Sequence, residues 1–275
     1  MISMISCMQD RLINIFICLL IGITTVNSQE LVVTDSVQIE LDGFSVDALE
    51  QVWVWEDDVI TKLGPGLDTL FQQSIKINGT ISQIDASYPL RVLIFYQDQL
   101  LLQIMDNTLS EQGDPVDFSR MDLFQVQQVT QAANSEFWVY EQENFEFLRY
   151  DRNQKETIRS GNMVQLTGNV PHISSMIDFS GDLIVADSTY GVYELNRFGA
   201  LINSIPIEGA LFASRYKEVL YVLTRDELVL FPPVKQPLRV SLGNIELESF
   251  FLHNGKLYTY HNGILRSYKL RFKKE

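Results

Sequence analysis

Four carboxylates and one imidazole are the side chains whose placement could do chemistry. Asp47, Asp85, Glu246 and Glu248 lie on or beside strands that each open a repeated unit, and His172 follows Pro171 at the entry to another. Acids that converge in pairs suit glycoside hydrolysis, where one carboxyl group protonates the leaving oxygen and the other attacks or activates water. The same acids, joined by carbonyls and Asn, would suit calcium, which takes oxygen ligands. Nothing in the spacing fixes their separation, so acids solvated in a wet channel are the plainer reading. His253 and His261 each precede an Asn-Gly pair and read as turn residues, and Glu56-Asp57-Asp58 reads as a solvated hairpin tip. No phosphate loop, nucleophile elbow or zinc helix motif occurs. No cofactor is therefore expected, with calcium at the acids as the exception to test.

The elements that must position these side chains are hairpins. VWVWEDDVITKL (Val52–Leu63), RVLIFYQDQLLLQIM (Arg91–Met105), EFWVYEQENFEFLRYD (Glu136–Asp151), LIVADSTYGVYELNRFG (Leu183–Gly199), EVLYVLTRDELVLF (Glu218–Phe231) and KLYTYHNGILRSYKL (Lys256–Leu270) succeed one another along the chain. Their turns recur about every 40 residues, the length of one propeller blade of four short strands. Second strands such as Val219–Leu223 are apolar at every position, as strands packed on both faces should be. First strands such as Val126–Gln131 are more polar, which suits a wet central channel. The last unit, with strands at Glu246–Leu252, Lys256–Tyr260 and Ile264–Leu270, is one strand short. Leu31–Leu41 alternates at period two and belongs to no unit, so it is assigned as the missing outer strand beside Ile264–Leu270. That pairing joins the two chain ends and removes an open edge. The predicted fold is all-β: a six-bladed β-propeller of four-stranded blades, closed by an N-terminal strand pairing with the C-terminal blade. A two-sheet sandwich is the alternative, and it lacks such a period.

Some stretches fit the repeat less well. Asn107–Asp122, with Gly113, Pro115 and the acids Glu111, Asp114, Asp117 and Asp122, blurs the fourth strand of the second unit. It reads as a surface insertion, with a functional loop as the alternative. A helix over Asp117–Val129 is a weak competing pattern, and Asn162–Asn169 simply crosses from the third unit to the fourth. Trp53, Trp55 and Trp138 sit in second strands and read as core, although exposed aromatics would bind carbohydrate or peptide. Asn78-Gly79-Thr80 matches a glycosylation sequon.

Residues 1–28 have a signal-peptide layout: Arg11, the apolar run Leu12–Ile23, then a cleavage site after Val26-Asn27-Ser28. The run is too short for a spanning helix of roughly 20 residues, so export with cleavage is expected, and an uncleaved anchor is the alternative. Residues 29–275 are then a single propeller domain. Both cysteines, Cys7 and Cys18, fall in the leader, which leaves the mature chain without a disulfide, a thiol nucleophile or a thiolate metal site. A hydrophobic content of 46% supplies the core instead. The net charge of -14 makes nucleic acid a poor partner. The basic cluster Lys269, Arg271, Lys273 and Lys274 reads as a solvated tail.

The leader ending near Gln29, the stretch FWVYEQENFEFLRYD and the stretch DLIVADSTYGVYELNRFG together give a pattern that resembles six-bladed propellers of the TolB-like and NHL-like kind. In particular it is similar to exported propellers of Bacteroidota. The resemblance covers the mature chain, but its motifs build blades and transfer no active site. With export and the lack of a catalytic constellation, it implies a non-catalytic module of the cell envelope. Such a module would be periplasmic or outer-envelope associated and monomeric, without a membrane span after leader cleavage, and would bind an envelope protein or glycan on one rim. The alternative is a propeller hydrolase or lactonase whose carboxylates, with or without calcium, stand at the channel mouth.

Overall fold

A computed structural model describes residues 29–75, 78–88 and 90–272. The leader with Cys7 and Cys18 lies outside the described residues, as do Ile77 of the first unit and Lys273 and Lys274 of the basic tail. Residues Leu31–Leu270 form one compact unit. It carries six four-stranded sheets, the blades. β1 (Gln29–Gln38) comes first in the chain. Blade 1 is β2 (Gly43–Val46), β3 (Val52–Glu56), β4 (Val59–Leu63) and β5 (Thr69–Ser74). Blade 2 is β6 (Gln83–Tyr88), β7 (Arg91–Tyr96), β8 (Leu101–Met105) and β9 (Val116–Asp117). Blade 3 is β10 (Val126–Gln131), β11 (Phe137–Glu141), β12 (Glu146–Tyr150) and β13 (Glu156–Arg159). Blade 4 is β14 (Ile173–Phe179), β15 (Asp182–Asp187), β16 (Gly191–Leu195) and β17 (Leu201–Pro206). Blade 5 is β18 (Phe212–Tyr216), β19 (Val219–Leu223), β20 (Glu227–Phe231) and β21 (Leu238–Ser241). Blade 6 is β22 (Ser249–His253), β23 (Lys256–His261) and β24 (Ile264–Phe272), completed by β1.

The apolar second strands explain how the blades stack. Successive side chains of a strand point to opposite faces, so a strand held between two neighbours must be apolar throughout. In β7, Val92, Ile94 and Tyr96 pack toward blade 1 with Trp53 and Trp55, whereas Leu93 and Phe95 pack toward blade 3 with Phe137 and Val139. In β11 the other parity, Trp138 and Tyr140, turns to Val185 and Tyr193 of blade 4. Each fully buried side chain of this size stabilises the fold by roughly 1.5–3 kcal/mol. The ring closes where Phe44 and Val46 meet Tyr258, Tyr260 and Leu265. The outermost strands β5 and β13 face mostly solvent.

Blade 6 takes its fourth strand from the start of the chain, as the strand count requires. Thr34 and Ser267 share a hydroxyl hydrogen bond of 2.7 Å, and the Ile39 N–H donates to the Gly263 carbonyl at 2.9 Å, so β1 and β24 run antiparallel. Four details are refined by the structure. β9 is only two residues long, because residues after Met105 fold back and bridge to it at Glu111. No helix spans Asp117–Val129. The Asp117 side chain accepts the Ser119 N–H at 3.0 Å and caps a single tight turn, Phe118–Met121, which Asp122 ends at a φ of 58°. Conversely, the crossing Asn162–Asn169 contains a short helix, α1 (Met163–Thr167), capped by the Asn162 side chain on Gln165 N–H and ended by Gly168 at a φ of 75°. Finally, the first strand of the last unit starts at Ser249 and not at Glu246, so Glu246 and Glu248 stand beside β22, as Asp47 stands beside β2.

Candidate functional site

The six innermost strands β2, β6, β10, β14, β18 and β22 all contribute to one central cavity of about 280 Å³. Its lining divides by blade. Blades 2 to 4 supply mainly amides and hydroxyls, among them Gln83, Gln127, Gln128, Thr130, Ser174 and Ser175. Blades 5, 6 and 1 supply mainly rings: Phe212, Phe250, Phe251, Phe44 and Trp55. Phe212 and Phe251 pack with centroids 4.9 Å apart, which stiffens the aromatic side. Several amides on the polar side are tied across blades. Gln83 Nε2 donates to the Val129 carbonyl at 2.8 Å, and the Val129 N–H returns to Gln83 Oε1 at 3.2 Å. Ser175 Oγ is enclosed and has no partner among the described residues.

Of the five side chains singled out by sequence, Asp85 alone lines this cavity. Both of its carboxylate oxygens are engaged. One oxygen accepts the Thr130 hydroxyl at 2.6 Å and the Gln131 N–H at 2.8 Å, and the other accepts the Ser87 N–H at 2.8 Å. Asp85 thus fastens blade 2 to blade 3. Asp47 is completely buried in the β2–β3 turn. It accepts the Leu49 and Gln51 N–H groups at 2.9 and 3.0 Å and the Trp53 indole N–H at 3.0 Å. With these donors, neither acid has oxygens turned out as an open cation cage. His172 is exposed just before β14, its backbone N–H bonded to Asp187 Oδ2 at 3.0 Å and its Nδ1 3.1 Å from the Val170 carbonyl. Glu246 and Glu248 converge on His261 of the neighbouring hairpin: Glu246 on Nε2, and Glu248 at 3.2 Å from Nδ1. No spacing along the chain marks a partner for His261, because its two acids precede β22 while it ends β23.

The structure also shows why acids are so common. Asp106, Asp151 and Asn196 each begin a turn after the third strand of a blade and accept backbone N–H groups two and four residues on. The fourth residues of these turns, Leu109, Gln154 and Gly199, have φ values of 60°, 61° and 77°. Asp or Asn at matching places in blades 2, 3 and 4 is the sequence signal that marks this recurring capped turn. Trp53 and Trp138 are core residues whose indole N–H groups meet Asp47 and Asp178, the latter at 3.2 Å. Burial pushes the Asp178 carboxyl above its ordinary value, against the Gly181 and Trp138 hydrogen bonds. Among the described residues no cluster of three His, Cys, Asp or Glu is arranged to hold a metal ion, and no helix is long and apolar enough to cross a membrane.

By sequence, the chain matches no family model and no curated protein. By structure it is similar to β-propellers. A streptogramin B lyase aligns with a TM-score of 0.59 at 12% identity, over 83% of this chain and 78% of that one. The virginiamycin B lyase of Staphylococcus aureus aligns with a TM-score of 0.55 at 10% identity, over 90% of each chain. The extracellular domain of a one-component system from B. thetaiotaomicron gives 0.54 at 14% identity, over 82% of this chain and 32% of that one. At such identities the likeness establishes the fold, a six-bladed propeller, and nothing finer.

Proposed function

We propose that this chain is a non-catalytic propeller of the cell envelope whose central channel binds an uncharged, hydroxyl-rich ligand of the glycan class. The observation that carries the reading is the divided channel lining, with amides and hydroxyls on blades 2 to 4 facing rings on blades 5, 6 and 1. A sugar ring offers hydroxyls around its edge and C–H groups on its faces, so it can bond one wall and stack on the other. The volume of about 280 Å³ suits one such ring, near the lower end for small-ligand sites. No cofactor is assigned to it. Export rests on the leader, Arg11 with Leu12–Ile23 and the cut after Ser28. A mature amino terminus at Gln29 in the envelope fraction tests that part.

The binding part is tested by ligand-observed NMR with neutral hexose and N-acetylhexosamine oligosaccharides. Binding that weakens about tenfold in Phe250→Ala and in Ser175→Val is the expected result. No binding in the millimolar range, or equal binding by both variants, would sink it. A second reading, a hydrolase or lactonase, has one observation in its favour, the two carboxylates on His261. The lyase activity named for two structural neighbours belongs to those proteins. Turnover of a simple ester or lactone that disappears in His261→Ala would support this reading, and turnover that survives the substitution would end it.

A further inference from the structure

A second cavity, of about 560 Å³, opens between blades 2 and 3, lined by Tyr88 at the end of β6, Leu90 of the β6–β7 turn, and Asn134 and Ser135 of the β10–β11 turn, among others. β6 runs from Gln83 to Tyr88; the channel takes Gln83, Ile84, Asp85 and Ser87 along it, and this cavity takes Tyr88 at its end. Two arginines face it, Arg91 at the start of β7 and Arg152 in the β12–β13 turn. In a chain of net charge -14, neither forms an ion pair with a described residue. Arg91 Nη1 donates to the Glu136 carbonyl at 3.0 Å, but its Nη2 is enclosed and has no partner among the described residues. Arg152 Nη2 donates to Ser135 Oγ at 3.2 Å. Beside them, Gln131 uses its Nε2 on the Asp85 carbonyl at 3.1 Å and on the Arg91 carbonyl, which leaves its enclosed Oε1 without a donor.

The acids that could have neutralised this pair are held elsewhere. Glu136 pairs with Arg149 at 2.8 Å, and both oxygens of the Asp85 carboxylate are bonded to Thr130, Gln131 and Ser87. Burial chiefly, with the like charge of Arg152 adding and Asp85 opposing, pulls the Arg91 guanidinium below its ordinary value. An enclosed cationic donor without a partner is costly, and a bound anion would remove that cost. The unmet acceptor, Gln131 Oε1, asks for an N–H close to the anion. The walls Tyr88, Leu90 and Ile104 ask for an apolar body, and Leu90 is 74% exposed at the rim.

We propose that the cavity between blades 2 and 3 binds an acylated amino acid through its α-carboxylate. The carboxylate pairs with Arg91 and Arg152, the amide N–H meets Gln131 Oε1, and an apolar side chain rests on Tyr88, Leu90 and Ile104. Such a group is either a small N-acyl amino acid or the carboxy-terminal residue of a polypeptide. The proposal is independent of ligand binding in the channel.

The test is calorimetric titration of the full mature protein with N-acetyl-leucine, its C-terminal amide, 4-methylpentanoate and the peptide Ala-Ala-Leu. N-acetyl-leucine is expected to bind, with the amide and the N–H-lacking pentanoate each about tenfold weaker. Tighter binding of the peptide than of N-acetyl-leucine assigns the site to polypeptide termini, and equal or weaker binding assigns it to the small molecule. Arg152→Gln changes a turn side chain and should fold normally. It is expected to weaken N-acetyl-leucine about tenfold and leave channel ligands unaffected. Absence of N-acetyl-leucine binding in the millimolar range, equal affinity for acid and amide, or unchanged affinity in Arg152→Gln would each overturn the assignment.

Discussion

The central channel and the cavity between blades 2 and 3 share the strand β6 yet present opposite chemistry. The channel shows amides, hydroxyls and rings, and its one carboxylate, Asp85, is closed off by three donors. The outer cavity shows two guanidinium groups and leaves a cationic donor and an amide oxygen open. Position explains the difference. Asp85 is buried on an innermost strand, and a buried charge persists only when bonded. Arg152 stands in an exposed turn and reaches water, and Arg91, which opens β7, is only partly buried. Asp85 and Gln131 form the wall between the two sites, since the Asp85 carboxylate and carbonyl hold the Gln131 backbone and side chain.

That wall is where the comparison breaks most readily. Asp85→Ala would orphan the Thr130 hydroxyl and the Gln131 and Ser87 N–H groups, each costing about 1–3 kcal/mol when left buried and unmet. The urea midpoint should fall by the equivalent of about 3 kcal/mol or more with an unchanged slope, and both ligands should weaken together. Retention of either affinity in a destabilised variant would show that the sites do not share this wall. Gly43→Ala acts on one side only. A Cβ there would stand 2.2 Å from Trp55 Cζ2, so the indole on the aromatic wall must move. Overpacking of this kind costs about 1–3 kcal/mol. Titrations should show channel binding lost and N-acetyl-leucine binding kept, and a matched loss of both would contradict their separation.

The strand pattern was legible because burial on two faces writes itself into consecutive residues. RVLIFY in β7 and FWVY in β11 could belong only to strands packed between neighbours, and the surplus alternation before Asp42 could only complete blade 6. What stayed hidden was the direction in which polar side chains turn. Asp47 reads as a channel acid, but its own turn supplies two N–H groups that claim one oxygen. Arg91 and Arg152 belong to different blades, and nothing local to either marks the other. α1 was hidden by its brevity, since five residues show no period, although Asn162 and Gly168 mark its two caps.

Acid should separate stability from binding at both sites. His253 closes β22, and its Nε2 is enclosed without a partner among the described residues. Burial pushes the imidazole below its ordinary value, with Lys256 adding and Glu50 and Asp47 opposing. The folded pKa is therefore below the unfolded value of about 6.5, and the unfolded chain takes up the proton first. Stability is full above about pH 6.5 and declines as pH falls from there through the lower folded value. Thermal midpoints should drop on acidification in the parent protein and drop less in His253→Gln. No histidine lines either cavity, so affinities of the folded protein should stay level over the same range.

Salt gives the smallest effect and the finest distinction. Screening lengths shrink about threefold between about 0.05 M and 0.5 M salt, which weakens attraction between partly exposed charges. N-acetyl-leucine in the outer cavity should therefore lose roughly two- to threefold in affinity, because Arg152 stands in a turn open to solvent. A neutral sugar in the channel has no charge to screen, and its affinity should not move. If both ligands responded alike, the charge difference between the two cavities would have no consequence for binding, and the arginine pair would be a feature of the surface and not of a site.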